Sequence, residues 1–194
     1  MEIDITRLKP DVRHLDELHG LLYDKEWEKT AQNLDLYYMY RSLEIKDGLR
    51  YDVTVIPAQM LGSEFVKTKG HIHAGFYGEV YMVLEGEGFY LFQKGDENKI
   101  DDVCVVKAKK GENIIIPAGY GHVTINPSDK ELKMANWVKL EDKGDFSPFE
   151  KNHGACYYYT KQGWIKNENY KNVPVLRFEK ALESLPVDLN FLKG

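Results

Sequence analysis

Only two cysteines, Cys104 and Cys156, occur in the 194 residues. They stand far apart and in no CxxC pair, which excludes a disulfide framework and a thiolate metal site; both are expected as buried thiols. Positive charge is also scarce. Lysine and arginine number 26 against 31 aspartates and glutamates, a formal charge of -5 with no long basic block. Such a chain lacks the broad positive surface that nucleic acid or an anionic membrane needs, so an anionic ligand requires a local pocket. No apolar run approaches the ~20 residues of a membrane-spanning helix. The N-terminus, MEIDITRLKPD, has no basic leader followed by an apolar stretch. A cytoplasmic protein is therefore expected. Neither a repeat nor a low-complexity segment is present, which removes solenoid and linker readings.

What is present suits one domain over residues 1–194, since 43% hydrophobic side chains suffice for one sizeable core. From Asp11 to Leu22, the residues Val12, Leu15, Leu18, Leu21 and Leu22 recur at three- and four-residue steps. They predict a short amphipathic helix after Pro10, with His14 and His19 at its surface. From about Leu43 to Leu140 the pattern changes to short β-type runs broken by glycine and proline: YDVTVIPAQM, EVYMVLEGEGFYLF, VCVVKA, NIIIPAG, HVTIN and LKMANWV. These predict an antiparallel sandwich or small barrel. After Gly144 the chain is aromatic and mixed, with HGACYYY and GWI as strand or loop and VPVLRFEKALESL leading into a short helix, all packing back onto the barrel. In EVYMVL, Glu79, Tyr81 and Val83 share one face and Val80, Met82 and Leu84 the other. Both faces are largely apolar, so the outer face needs a cover, either another sheet or a second subunit; a homodimer is the simpler expectation.

The stretch HIHAGFYGEVYMVLEGEG begins with His71 and His73 and reaches Glu79 six residues later. On an extended segment the two imidazoles project to one side, close enough to share an ion. Gly75 and Gly78 permit a reversal before Glu79 opens the next strand. Much later, in PAGYGHVTIN, a turn marked by Pro117, Gly119 and Gly121 precedes His122, which antiparallel neighbours could return to the first three. Three imidazoles and a carboxylate suit Fe, Mn, Ni, Co or Zn, and an octahedral ion keeps two positions open for substrate oxygens. Taken alone, the His-x-His pair reads equally well as polar punctuation between strands.

Together, GHIHAGFYGEVYMVLEGEG and GENIIIPAGYGHVTIN resemble the paired motifs of the cupin superfamily: Gly70, His71, His73, Glu79 and Gly86, then Gly111, Pro117, Gly119, His122 and Asn126. The resemblance implies a mainly β cupin fold, a double-stranded β-helix or jelly-roll barrel, with short N- and C-terminal helical extensions. With TKGH, GHVTIN and HGACYYY as flanks, residues from about Leu43 to Gly163 resemble the cupin-type glucose-6-phosphate isomerases, known chiefly from archaea. That family interconverts glucose 6-phosphate and fructose 6-phosphate as a homodimer with one divalent metal per subunit. Fe2+ is the commonest, with Mn2+, Ni2+, Co2+ and Zn2+ as alternatives. Carried over by position, the resemblance places the metal on His71, His73, Glu79 and His122. It places phosphate and sugar contacts on Thr54, Thr68, Gly70 and a C-terminal His or Tyr, for which His153 and Tyr158 are the candidates.

Aldose–ketose isomerisation builds negative charge on O1 and O2, which a metal can stabilise as a Lewis acid. Glu79 is the expected base for moving the C2 proton to C1, and Tyr81, facing the same way, the expected hydrogen-bond partner of a sugar oxygen. A direct C2-to-C1 hydride shift would leave Glu79 a ligand only. Strand parity puts Lys67 and Lys69 with His71 and turns Thr68 and Gly70 away, unless Gly70 breaks the alternation; the lysines are expected in solvent. Tyr157, Tyr158 and Tyr159 read as packing, with one hydroxyl, that of Tyr158, available to a pocket. Since fold does not fix function, other readings are a mannose 6-phosphate isomerase, an iron dioxygenase and a non-catalytic sugar-binding cupin.

Overall fold

A computed structural model describes residues 3–194. Each β-type run of the central part is a strand: Leu49–Ile56, Glu79–Glu85, Glu87–Gly95, Ile100–Lys109, Asn113–Ile116, Gly121–Ile125 and Leu132–Lys139. Their branched and aromatic side chains favour a pleated, half-buried surface, and the glycines between them make the turns. Gly86 shows why. Its φ is +77°, and a Cβ there would collide with the Glu131 carbonyl oxygen, so only glycine joins its two strands.

The central strands form two facing sheets. The larger sheet runs Asp11–His14, Asp35–Lys46, Leu49–Ile56, Leu132–Lys139, Glu79–Glu85 and Asn113–Ile116 in spatial order. Opposite it, Gly121–Ile125, Glu87–Gly95, Ile100–Lys109 and Arg177–Lys180 form the smaller sheet. The main core lies between them: Tyr81, Val83, Ile114 and Met134 from one sheet meet Tyr90, Phe92, Cys104 and Val106 from the other. Cys104 and Cys156 are free and buried, as expected, and burial pushes their thiols up to about 11 and about 12.

Two sequence expectations fail at the ends. Asp11–Leu22 is not a helix. Asp11–His14 is an edge strand paired antiparallel with Asp35–Lys46, followed by a 3-10 turn at Leu15–Leu18 and by Gly20 at φ +82°. Leu15, Leu18, Leu21 and Leu22 are buried even so. An isolated helix of this length is marginal, whereas an open sheet edge supplies hydrogen bonds at once, and both geometries bury the same leucines. In VPVLRFEKALESL the expected helix is likewise a strand, Arg177–Lys180, paired parallel with Ile100–Lys109, again at a sheet edge. Short helices do occur, at Lys25–Glu28 and Ser147–Lys151. The outer face of the larger sheet is covered in part by the chain's own ends: Ile3 and Ile5 pack on Val53, Val55 and Ala135, and Leu189 and Leu192 on Leu49 and Val80. No helix among the described residues is long and apolar enough to cross a membrane.

Candidate metal centre

Backbone pairing brings the distant histidines together. Residues 68–71 run antiparallel to Gly121–Ile125: Thr68 N–H donates to the Thr124 carbonyl at 2.8 Å, His71 N–H to that of His122 at 3.2 Å, and His122 N–H to that of His71 at 2.9 Å. The two imidazole centroids are 4.4 Å apart. Gly70 has φ +84°, and a Cβ there would lie 2.7 Å from Val123 Cγ2. This left-handed residue interrupts the alternation of the strand, so Thr68, Gly70 and His71 all line one cavity. His73 is held by pairing with Gly144, and Glu79 opens its strand opposite Ile116.

One ligand atom from each of His71, His73, Glu79 and His122 lies within 4.8 Å of the others. Glu79 Oε2 is 3.4 Å from His73 Nε2 and 3.2 Å from His122 Nε2. His73, Glu79 and His122 are buried, and His73 Nε2 and Glu79 Oε2 have no hydrogen-bond partner. Orphaned buried polar atoms are costly, and a cation bound among them satisfies both. The donor set, imidazoles with one carboxylate, is that of a borderline divalent ion. Residues and chemistry therefore fit a metal.

Surrounding groups fix the orientation of these side chains. Asp142 Oδ1 accepts from Tyr77 Oη and from His73 Nδ1, each at 2.7 Å. A proton on Nδ1 leaves the Nε2 lone pair for an ion. Asn136 Nδ2 donates to Glu79 Oε1 at 2.6 Å, which leaves Oε2 to face the histidines. Burial alone disfavours the His73 imidazolium, but the hydrogen bond to Asp142 and the facing Glu79 carboxylate outweigh it and raise its pKa to about 9. His71, in contrast, is pushed down to about 3 by burial and by its neighbour His122. Burial works to raise the Glu79 carboxyl, yet the facing His122 and His73 imidazoles hold it well below the usual carboxylate range.

His71, Glu79 and His122 line a cavity of about 390 Å3, with Thr68, Gly70 and Tyr81. Tyr81 Oη lies 3.5 Å from His122 Nε2. Thr54, His153 and Tyr158 are not on this wall. Thr54 is buried within its strand; exposed His153 places Nδ1 3.2 Å from the Gly20 carbonyl oxygen; Tyr158 donates to the His153 carbonyl at 2.6 Å. The structure does not bring those three to the centre. Lys67 is not solvated either. It is 4% exposed, ion-paired with Glu64, and donates to the Leu21 carbonyl at 3.0 Å. Lys69 is half-buried, with Nζ 2.6 Å from Glu150 Oε1.

Several cavity residues had no clear mark in the sequence: Arg13, Tyr37, Arg50, Asn136 and Asp142. Asn136 had the best signal, a polar residue sharing parity with Met134 and Val138 in LKMANWV. Asp142 lies in a turn after its strand, where an aspartate reads as turn chemistry.

The chain is similar to known proteins over most of its length. The family model described as glucose-6-phosphate isomerase matches residues 12–175. The glucose-6-phosphate isomerase of Pyrococcus horikoshii is 31% identical over 177 residues, covering 87% of this chain and 92% of that protein. That of Thermococcus litoralis is 33% identical over 132 residues, covering 65% of this chain and 67% of its own. With a match across most of its length, the chain belongs to the glucose-6-phosphate isomerase family.

Proposed function

We propose that this enzyme interconverts glucose 6-phosphate and fructose 6-phosphate, in glycolysis and gluconeogenesis, at a divalent metal held by His71, His73, Glu79 and His122. The observation that carries the reading is the set of four mutually close ligand atoms, two of them buried and unpartnered, at a sugar-sized cavity that His71, Glu79 and His122 line. Fe2+ is the first candidate, with Mn2+, Ni2+, Co2+ and Zn2+ as alternatives, because histidine and carboxylate accept all of them. On the same reading the enzyme is a cytoplasmic homodimer with one cupin domain per chain.

A divalent ion bound there supplies Lewis-acid stabilisation of negative charge on O1 and O2. The chain's own groups do the rest. From aldose to ketose, the hydrogen on C2 moves to C1 and the O2 hydroxyl proton moves to O1. Glu79 is the carboxylate placed to carry the C2 proton. To act as base it must loosen a contact, since Oε1 holds Asn136 and Oε2 faces the histidines. Tyr81 is buried and close to the Glu79 charge, so its hydroxyl stays protonated and can donate to a sugar oxygen. Thr68 and the Gly70 backbone contribute polar cavity wall.

Incubation with fructose 6-phosphate without oxygen tests the function. Glucose 6-phosphate is expected to form, to stop forming after EDTA treatment, and to form again when Mn2+ or Fe2+ is restored. No product from fully metallated protein would favour a sugar-binding or oxygen-dependent role, and preference for mannose 6-phosphate would redirect the substrate. Turnover in deuterated water separates the two routes for hydrogen. Proton transfer through Glu79 predicts substantial deuterium at C1 of fructose 6-phosphate or C2 of glucose 6-phosphate; its absence would leave Glu79 as ligand only.

A further inference from the structure

The loop AGFYG, residues 74–78, separates the ligands His73 and Glu79, and its conformation decides whether their side chains converge on one ion. Neither helix nor strand runs through it. Backbone pairing holds it at one point, where Ala74 N–H donates to the Lys143 carbonyl at 3.1 Å. A loop fixed no better than that would be ordered by the ion itself, and the ordering entropy would be subtracted from binding.

Further contacts come from the other end of the sequence, from LPVDLNFLKG at 185–194, beyond the residues 12–175 matched to the family. After Arg177–Lys180 the chain pairs once more, where Leu182 and Asn113 exchange two backbone hydrogen bonds at 2.8 Å each. Residues 183–188 then make no backbone hydrogen bond to the barrel. The chain is caught again by a 3-10 turn at Asn190–Leu192. Leu192 is fully buried and packs with Leu49 and with Val80, the residue next to Glu79. The Phe191 ring lies over Gly78, 3.5 Å from where a Cβ would stand. A Cβ on Gly194 would lie 2.9 Å from the Phe76 carbonyl oxygen and 3.7 Å from Tyr77 Cβ, so the segment also touches the middle of the loop. Lys139 ties the two together: Nζ donates to the Lys193 carbonyl at 3.1 Å and stands 5.3 Å from the centroid of the Tyr77 ring. Tyr77 in turn donates to Asp142, the acceptor that orients His73.

We propose that residues 189–194 are a positioning strap. Phe191 and Leu192, with Lys139 as the tie, hold the 74–78 loop so that His73 and Glu79 are aligned before the ion arrives, and the strap thereby sets the affinity of the centre for its divalent metal. None of these residues touches the ion or the sugar. Their effect is exerted through Tyr77, Gly78 and Val80, and the proposal rests on the metal reading above.

The test uses the full-length protein stripped of metal, with Mn2+ as the probe and free Mn2+ followed by electron paramagnetic resonance well below the thermal midpoint. Phe191→Ala and Lys139→Met are each expected to raise the Mn2+ Kd by about 2- to 30-fold, the range for groups that act on a site through their neighbours. The Phe191→Ala/Leu192→Ala double variant should raise it by about 10- to 100-fold, as when outer partners of metal ligands are lost. Lys139→Arg keeps a donor and a cation and is expected to recover part of the affinity. Amide hydrogen exchange at 74–78 should quicken in step with the loss. At saturating Mn2+, kcat and KM for fructose 6-phosphate should stay within about threefold of wild type, because the ligands themselves remain. Ile5→Ala is the control: it strips a buried side chain from the same outer sheet face, against Val53, Val55 and Ala135 and away from the loop. It should lower the thermal midpoint and leave the Mn2+ Kd unchanged. Strap variants that lose only thermal stability, as Ile5→Ala does, would reduce residues 189–194 to a cover and overturn the proposal. An equal loss of Mn2+ affinity in Ile5→Ala would do the same. If the double variant does not fold, Phe191→Ala and Lys139→Met decide, since Phe191 is 40% exposed and Lys139→Met keeps its apolar stem. Wild-type protein that binds no Mn2+ would instead remove the metal reading, and the strap's role with it.

Discussion

Substituting His122 with alanine is expected to remove the metal and the isomerase activity together. The ring of His122 is buried, with Nε2 3.2 Å from Glu79 Oε2 and a centroid 4.4 Å from that of His71. Its loss takes one of four donors from a set that closes only when all four converge. The remaining imidazoles and carboxylate offer a weaker, wetter site, so the ion should be lost on dialysis and turnover should fall by at least about 10^3-fold. The barrel is expected to survive, because His122 meets His71 through backbone hydrogen bonds that alanine retains. Metal analysis of the dialysed protein, kcat/KM with fructose 6-phosphate and far-UV circular dichroism measure the three parts. A folded His122→Ala variant that keeps one ion per chain, or full activity without any, would refute this centre.

Changing Asp142 to alanine should have the next largest effect, although Asp142 donates no atom to the four-ligand set. Its carboxylate holds His73 Nδ1 and Tyr77 Oη at 2.7 Å each and lies 3.5 Å from Arg50 Nη2. Without it, nothing selects the His73 tautomer that presents Nε2 to the ion, and outer hydrogen-bond partners of this kind are worth about 10- to 100-fold in metal affinity. Folding stability should fall by roughly 1–3 kcal/mol, since two buried donors lose their acceptor. Arg50 keeps Asp52, which limits the damage. Asp142→Asn restores an acceptor without the charge and is expected to fall between alanine and wild type. Mn2+ titration well below the thermal midpoint separates the two effects. Unaltered Mn2+ affinity in Asp142→Ala would show that packing alone orients His73.

The core strands were legible because short β-type runs are punctuated by glycine and proline: Gly86 and Gly70 sit where a side chain would clash. The edges were not. Val12 through Leu22 carries a helical period, yet those leucines are buried by a strand and a 3-10 turn instead. Periodicity reports which residues go inside, and an open sheet edge decided the backbone that takes them there. The misreading had a cost, because a helix would have kept Arg13 from notice, while the edge strand sets it on the cavity wall beside Tyr37.

By itself the sequence determined the donor types and the order in which they arrive: His71, His73, Glu79 and His122 carry their chemistry in their side chains and their spacing in glycine-marked turns. Only the tertiary structure decided which groups stand around them. Asp142, Asn136 and Tyr37 meet the site through pairings between segments dozens of residues apart, and Lys67, charged and expected in water, is drawn inside by Glu64 and the Leu21 carbonyl. The reason is physical. A ligand's donor atom is a property of one residue, whereas its orientation, its burial and its protonation state are set by neighbours that no local pattern brings together.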